Sequence, residues 1–319
     1  MEFSLIDRIR QRTAQARDDV HLGIGDDAAL LNVPAGQQLV AAIDTLVDGV
    51  HFPHGTAAAD IGWKALAVNL SDLAAMGATP AWALLALTMP DAEAGFVDGL
   101  ADGFAQLAQA HRLALVGGDT TRGPLALSVA VHGFVPSGHA LLRAGAQVGD
   151  AICVTGTLGD AAAGLQLLQE SGNTDAHAAY LIERLNRPTP RVEAGLVLRG
   201  QAHACIDVSD GLLADLGHLC AASGVGATLD VSRLPRSHAL LDLLGEQASR
   251  ELALTGGDDY ELCFTAPVER VAALQSELAR LGCGAAVIGR IVAGSGVHVH
   301  DADGQALAFE RRGWDHFGA

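Results

Sequence analysis

The sequence is short of basic residues. It sets 20 Lys and Arg against 37 Asp and Glu, a formal net charge of −17 over 319 residues. There is very little lysine and no Lys/Arg cluster. Nucleic acids and anionic membranes are bound through such clusters, so neither is expected as a partner. Aromatic residues are scarce too, at 4%, while glycines number 38. That balance argues against an all-β sandwich and for an alanine-rich α/β enzyme with many tight turns. No Cys-x-x-Cys pair occurs. Cys153, Cys205, Cys220, Cys263 and Cys283 are odd in number and widely spaced, and read as small buried hydrophobes in a reducing compartment. The first residues, MEFSLIDRIRQR, lack the apolar core of a signal peptide. The uncharged stretch 73–90 is interrupted by Gly77, Thr79 and Pro80, and reads as a helix end, a turn and a buried strand rather than a membrane span. Nothing matches G-x-x-x-x-G-K-[ST], and the Gly-rich loop, V-A-I-K and H-R-D of protein kinases are missing. Phosphoryl transfer here would need another scaffold.

Half of the residues are hydrophobic, enough at this length for one large core or two domain-sized ones. Strand-length apolar runs fall at 39–43, 82–88, 113–116, 125–135, 151–155, 204–208, 261–265 and 285–291. Between them lie helical patterns at 58–75, 93–111, 160–170, 210–222 and 268–281. The fold class is therefore α/β or α+β. The turn-rich segment 135–150 is the expected boundary, giving domains 1–138 and 139–319.

Acidic residues mark the places where strands are expected to end and helices to begin. Asp26 and Asp27 stand side by side in LGIGDDAALL, with nothing basic for eight residues after them. Asp44 in AAIDTLVDGVHF and Asp119 in LVGGDTTRG are expected at strand ends, and Asp72 in NLSDLAAMG within a helix. Asp207 and Asp210 in CIDVSDGLLADLGHL lie at a strand-to-helix junction, and Asp258 and Asp259 follow in LTGGDDYEL. In open α/β sheets such ends gather at one rim, so several of these acids are expected to converge. Converging carboxylates repel one another unless a cation sits among them. Mg²⁺ takes one or two carboxylates and completes its shell with water or phosphate, so an acidic protein can bind an acidic nucleotide through it.

Each residue also has a plainer reading. An Asp in a Gly-flanked turn caps backbone N–H groups. Ser71 and Ser209 could be helix N-caps. His51 could be a satisfied polar residue, and Trp314 could plug the C-terminal tail onto the core. A loose echo links Gly25-Asp26, Ser71-Asp72 and Gly117-Gly118-Asp119 to Gly159-Asp160, Ser209-Asp210 and Gly256-Gly257-Asp258; it is either an old duplication or the same turn chemistry used twice.

Taken in order, FSLIDRI, LGIGDDAALL, DTLVDGVHF, KALAVNLSDLAAMGATPAW, LVGGDTTRGPL, HGFVP, GDAICVTGTLGDAAAGL, RPTPRVEAG, IDVSDGLLADLGHL, GGDDYELCF and GWDHF resemble the thiamine-monophosphate kinases. The resemblance runs from about residue 3 to the C-terminus. That family belongs to the AIR synthase-like superfamily, with ligases of purine synthesis, selenophosphate synthetase and a hydrogenase-maturation factor. The motifs near Asp27, Asp44 and Asp119 are shared loosely across the superfamily, whereas NLSDLAAMGA, GGDTTRGP and GWDHF are specific to the kinase.

The resemblance implies ATP-dependent phosphorylation of thiamine phosphate to thiamine diphosphate in the cytoplasm. It implies a two-domain AIR synthase-like fold. The N-terminal ATP- and Mg-binding α/β domain would form a barrel across a homodimer interface, and the C-terminal α/β domain would close a cleft holding the site. Carried over residue by residue, Asp27, Asp44, Asp72, Asp119, Asp207 and Asp210 hold several Mg²⁺ ions, and at Ile43, in the same metal set, a backbone carbonyl could still serve in place of the missing hydroxyl. Asp27, Asp44, Asp119 and Asp210 carry the catalysis. Gly118, Asp119, Arg143 and Ser209 contact ATP, and His51, Asp258 and Trp314 face thiamine phosphate. The acceptor phosphate is already ionised at neutral pH, so transfer is expected to be direct and in line, without a general base. The chain departs from the family at Ala42-Ile43, where relatives commonly have Ser-Thr, and at Asp258, where they have Glu. A cousin ATP-dependent synthetase and a non-catalytic Mg-nucleotide-binding protein are the alternative readings.

Overall fold

A computed structural model of the chain describes residues 2–170, 175–309 and 313–314. The chain divides into two units, Met1–Leu73 with Ala78–Gly138, and Ala74–Gly77 with His139–Ala319. Among the described residues no helix is long and apolar enough to cross a membrane.

The first unit runs α1 (Glu2–Arg12), β1 (Val20–Leu22), β2 (Leu30–Leu31), β3 (Gln37–Val47), α2 (Ala58–Ala75), β4 (Thr79–Met89), α3 (Ala94–Ala110), β5 (Ala114–Arg122) and β6 (Ala126–Pro136). Its main sheet has the order β3-β6-β4-β5, with β4 and β5 parallel and the other pairs antiparallel. The parallel pair is the product of a crossover through α3, the connection that parallel neighbours require. Alternation assigns the two faces. Leu46, Leu85, Leu87, Leu127, Val129 and Val131 point inward, while Leu39, Ile43 and Leu84 are exposed on the other side. α2 is apolar nearly all round and correspondingly buried, from Ile61 through Leu66, Leu70 and Leu73. It meets α3 at Gly62 and Gly103, where a Cβ would collide with the backbones at Leu100 and Ala59. Only glycine permits that approach. α1 buries Leu5 and Ile9 and is tied to α3 by Arg8 and Arg12 on Asp98, with Arg12 also on Asp102.

The second unit runs β7 (Ala151–Thr155), α4 (Asp160–Glu170), α5 (Ala176–Asn186), α6 (Val192–Leu198), β8 (Ala204–Val208), α7 (Leu212–Ser223), β9 (Gly226–Asp230), α8 (His238–Thr255), β10 (Glu261–Ala266), α9 (Val268–Arg280), β11 (Ala285–Val292), β12 (Gly296–His300) and β13 (Ala306–Leu307). Seven strands form one sheet in the order β13-β12-β9-β11-β7-β10-β8, antiparallel except for β12 with β9. β7, β8 and β10 are buried along their whole length. Their continuous apolar runs are what a strand covered on both faces requires.

Several expectations change at this level. β3 continues past Asp44 and β5 continues past Asp119, so both acids lie inside strands rather than at strand ends. Hydrogen bonding to β6 and β4 carries these strands beyond their apolar runs. Ser71 is buried in the middle of α2 and is no N-cap. The three echoed dipeptides fall in unlike local structures: a turn against a helix start, a helix interior against a strand-to-helix loop, and a strand against a loop. The echo is therefore recurrent composition, not a repeated fold.

Candidate active site

In the first unit, the LGIGDD stretch is the turn joining β1 to β2. Val20, Ala29 and Leu31 pack on a cluster of Trp82, Val116 and Phe134, which fixes the turn against the sheet. Asp27 N–H donates to Asp26 Oδ1 at 2.8 Å, and both carboxylates are exposed. They face a cavity of about 1030 Å³ that is also lined by Gly117, Gly118, Asp119, Thr120 and His132. Gly118 has φ +152°, and a Cβ there would strike the Leu85 carbonyl. The strand thus offers bare backbone beside Asp119, which suits close approach by a ligand. His132 Nδ1 is buried without a hydrogen-bond partner among the described residues, and burial lowers the pKa of the ring, so the neutral form is favoured.

Asp44, Asp72 and His51 do not line this cavity. Register places Asp119 in a row with Ala86, Ser128 and Thr45, so Asp44, one residue along, projects from the opposite face. β3 and β5 are moreover the two edges of the sheet. Asp44 N–H donates to Asn69 Oδ1 of α2 at 3.0 Å, and Asn69 Nδ2 donates to Ala65 O. Asn69 thus holds β3 to the helix that carries Asp72. Because the N–H and C=O of one residue point to the same side of a strand, Asp44's own carbonyl faces off the edge and Ile43's faces β6. His51 Nδ1 accepts from Val47 N–H at 3.0 Å, and the His51 carbonyl accepts from Lys64 Nζ, so the residue anchors the turn after β3.

In the second unit, three loops meet. Asp258 N–H donates to Ser209 O, and Trp314 N–H donates to Asp210 O, both at 2.8 Å. Ser209, Asp210, Asp258 and Trp314 are therefore brought together. The indole of Trp314 is 56% exposed, so it is not a plug on the core. Ser209 is no N-cap either: that position in α7 belongs to Gly211. The loop is held instead by Asp215, whose buried Oδ2 accepts from the N–H groups of Ser209, Asp210 and Gly211 at 3.0–3.1 Å. Burial, then the charges of Asp207 and Asp210, push the Asp215 pKa up to about 7. Asp258 and Tyr260 both take left-handed backbone, φ +68° and +51°, and Tyr260 Oη donates to Asp258 Oδ1 at 2.9 Å. Asp259 is spent structurally, accepting from Gly159 N–H at 2.7 Å. Behind the loop Glu261 is fully buried, bound by Arg191 through two contacts of 2.6 Å and by Arg184 at 2.9 Å. Arg143 is placed elsewhere. Its carbonyl accepts from Ser223 at the far end of α7, roughly 18 Å of helix from Ser209 at 1.5 Å per residue.

Among the described residues no group of three His, Cys, Asp or Glu is placed to hold a metal ion. The donor set nonetheless fits Mg²⁺, since Asp27 and Asp119 are hard oxygen ligands facing an open cavity, and Mg²⁺ asks for only one or two carboxylates beside water and phosphate. Asn69, Asp215 and Glu261 were missed by sequence reasoning, although each lies within a motif that drew attention.

Two domains with a carboxylate-rich, glycine-lined cavity in the first and an Asp-bearing strand-to-helix loop in the second define an AIR synthase-related protein. The family models for the AIR synthase related protein match here, the N-terminal domain over residues 25–135 and the C-terminal domain over 147–302. A thiamine-monophosphate kinase of Salmonella typhimurium is 49% identical over 99% of this chain and 98% of its own. The crystal structure of thiamine-monophosphate kinase from Stenotrophomonas maltophilia K279a is 57% identical with a TM-score of 0.89, covering 96% of this chain and 98% of that one. AaThiL complexed with AMPPCP and TMP is 34% identical with a TM-score of 0.80, covering 99% and 97%. The chain belongs to the thiamine-monophosphate kinase family.

Proposed function

We propose that the chain transfers the γ-phosphoryl group of ATP to the phosphate of thiamine phosphate, giving thiamine diphosphate and ADP. The observation that carries this is end-to-end similarity to thiamine-monophosphate kinases, including one complexed with AMPPCP and TMP. Asp27 and Asp119 in the first unit, with Asp44 and Asp72 at the β3–α2 contact, and Asp207 and Asp210 in the second, are the proposed Mg²⁺ ligands and charge carriers. Bound Mg²⁺ neutralises phosphate charge and fixes the γ-phosphoryl group for in-line attack. Gly118 lets the nucleotide approach the strand, and Ser209, on the loop held by Asp215, contacts it. Arg143 binds ATP through an exposed guanidinium, and His51 sets the turn toward the acceptor. Asp258 meets the cationic thiamine by charge, and the exposed indole of Trp314 supplies a stacking face.

The acting species is a cytoplasmic homodimer. Leu39, Ile43 and Leu84 are 45%, 65% and 38% exposed on one open face of the four-stranded sheet. A second copy laid on that face would bury them and cover the edges β3 and β5, making a barrel. ADP release measured with thiamine phosphate, aminoimidazole precursors and selenide as acceptors tests the activity. Release with thiamine phosphate alone is expected. Release only with another acceptor would assign the chain to a cousin synthetase, and no release with any acceptor would leave a nucleotide-binding protein.

A further inference from the structure

α1 carries three arginines on the first unit, and they are treated differently. Arg8 and Arg12 are bound by Asp98 and Asp102. Arg10 makes no hydrogen bond or ion pair among the described residues, although its side chain lines the same cavity as Asp7, Asp26, Asp27 and Asp119. Its guanidinium lies directly over Gly25, with Nη1 3.4 Å and Cζ 3.8 Å from where a Cβ would stand. Gly25 has φ +128°, so the turn both requires glycine and leaves room for the guanidinium. Among the described residues Arg10 is the one Lys or Arg lining this cavity. An exposed arginine among four carboxylates would ordinarily close an ion pair. This one keeps its planar fork of donors uncommitted, in the geometry that matches phosphate oxygens.

We infer that Arg10 is a phosphate-binding residue of the active site, gripping a phosphoryl group of the nucleotide or of thiamine phosphate from the α1 side of the cavity. The inference rests on the proposed kinase reading. It adds a residue outside the matched family segment, which begins at residue 25. The turn that positions the Mg²⁺-binding carboxylates would then also position the arginine, so cationic groups of two kinds meet the phosphates in one cavity.

The test is isothermal calorimetry on wild type, Arg10→Ala and Arg10→Lys, with a non-hydrolysable ATP analogue plus Mg²⁺ in one arm and thiamine phosphate in the other, alongside KM, kcat and thermal melting. Arg10→Ala should weaken at least one of the two ligands tenfold or more with its melting temperature unchanged. The arm that responds names the phosphate. Arg10→Lys should recover part of the affinity, because the charge returns without the fork. Affinities for both ligands and both KM values within twofold of wild type, in an enzyme that turns over normally, would overturn the inference. A wild-type protein without turnover would instead count against the kinase reading.

Discussion

Glu261→Gln removes one charge from a fully buried ionic group in the second unit. The carboxylate is fully buried and accepts from Arg191 Nε and Nη2 at 2.6 Å, from Arg184 Nη2 at 2.9 Å and from Thr155 Oγ1 at 2.7 Å. Glutamine has almost the same volume, so no cavity opens. It leaves two largely buried guanidinium groups facing a neutral amide, one end of which is itself a donor. Breaking a buried pair by removing one partner costs about 3–5 kcal/mol, because the other charge stays buried without compensation. At ~2–4 °C per kcal/mol for a unit of this size, melting should fall by on the order of 10 °C. Glu261 also follows Asp258 and Tyr260, both in left-handed backbone. Loosening the ionic clamp should let that loop relax, and KM for thiamine phosphate should rise more than KM for ATP. The assay is urea unfolding followed by circular dichroism, with Arg191→Met added in a double-mutant cycle. The pair should be less damaged than the sum of its parts, since the second change removes a stranded charge. A loss below about 1 kcal/mol for Glu261→Gln, or strict additivity with Arg191→Met, would refute the reasoning.

Asp27→Asn and Asp119→Asn alter exposed carboxylates at the cavity; both should keep the melting temperature of wild type while kcat falls by orders of magnitude, and a matching loss of stability would make them turn residues instead. Asp258→Ala and Trp314→Ala should raise KM for thiamine phosphate with little change for ATP, by about fivefold for the indole at ~1 kcal/mol of stacking. An unchanged acceptor KM for Asp258→Ala would remove it from the acceptor site. All five cysteines are free and buried, and burial pushes Cys153 up to about 12 and Cys220 up to about 11. At pH 8 their thiolate population is negligible, so iodoacetamide should label the native protein slowly and the unfolded protein at five sites; rapid native labelling would contradict the burial. Labelled Mg·ATP without acceptor should leave the protein unlabelled, as direct transfer requires, and stoichiometric labelling of a His or Asp at a competent rate would rule that out.

How far the fold was legible depended on what covers each element. The patterns at 58–75, 151–155 and 204–208 coincide with α2, β7 and β8, because elements buried nearly all round or on both faces announce themselves by composition alone, and 160–170 coincides with α4, which is buried on one face. β5 was cut short at residue 116 because its later half is polar, and it is a strand there only through pairing with β4. α8, β9 and β12 went unread, for their stability comes from packing and ladder contacts rather than from a clear local period. At the site, the motifs located Asp27, Gly118, Asp119, Ser209, Asp210, Asp258 and Trp314 but not their supports. Asn69 and Asp215 act on backbone N–H groups whose positions exist only once a strand edge and a loop have formed. Arg10 comes to lie over Gly25, fifteen residues downstream across the α1–β1 segment, where no spacing rule applies. Conversely, Asp44 and Asp119 were read as strand ends, whereas both lie inside strands, where the pleat sends them to opposite faces.

The central claim is tested most directly by incubating the purified protein with Mg²⁺, γ-labelled ATP and thiamine phosphate, and separating the products by chromatography. The account predicts label in thiamine diphosphate, appearing in equal amount with ADP and dependent on both substrates. ADP without labelled thiamine diphosphate, or label released only as inorganic phosphate, would contradict it.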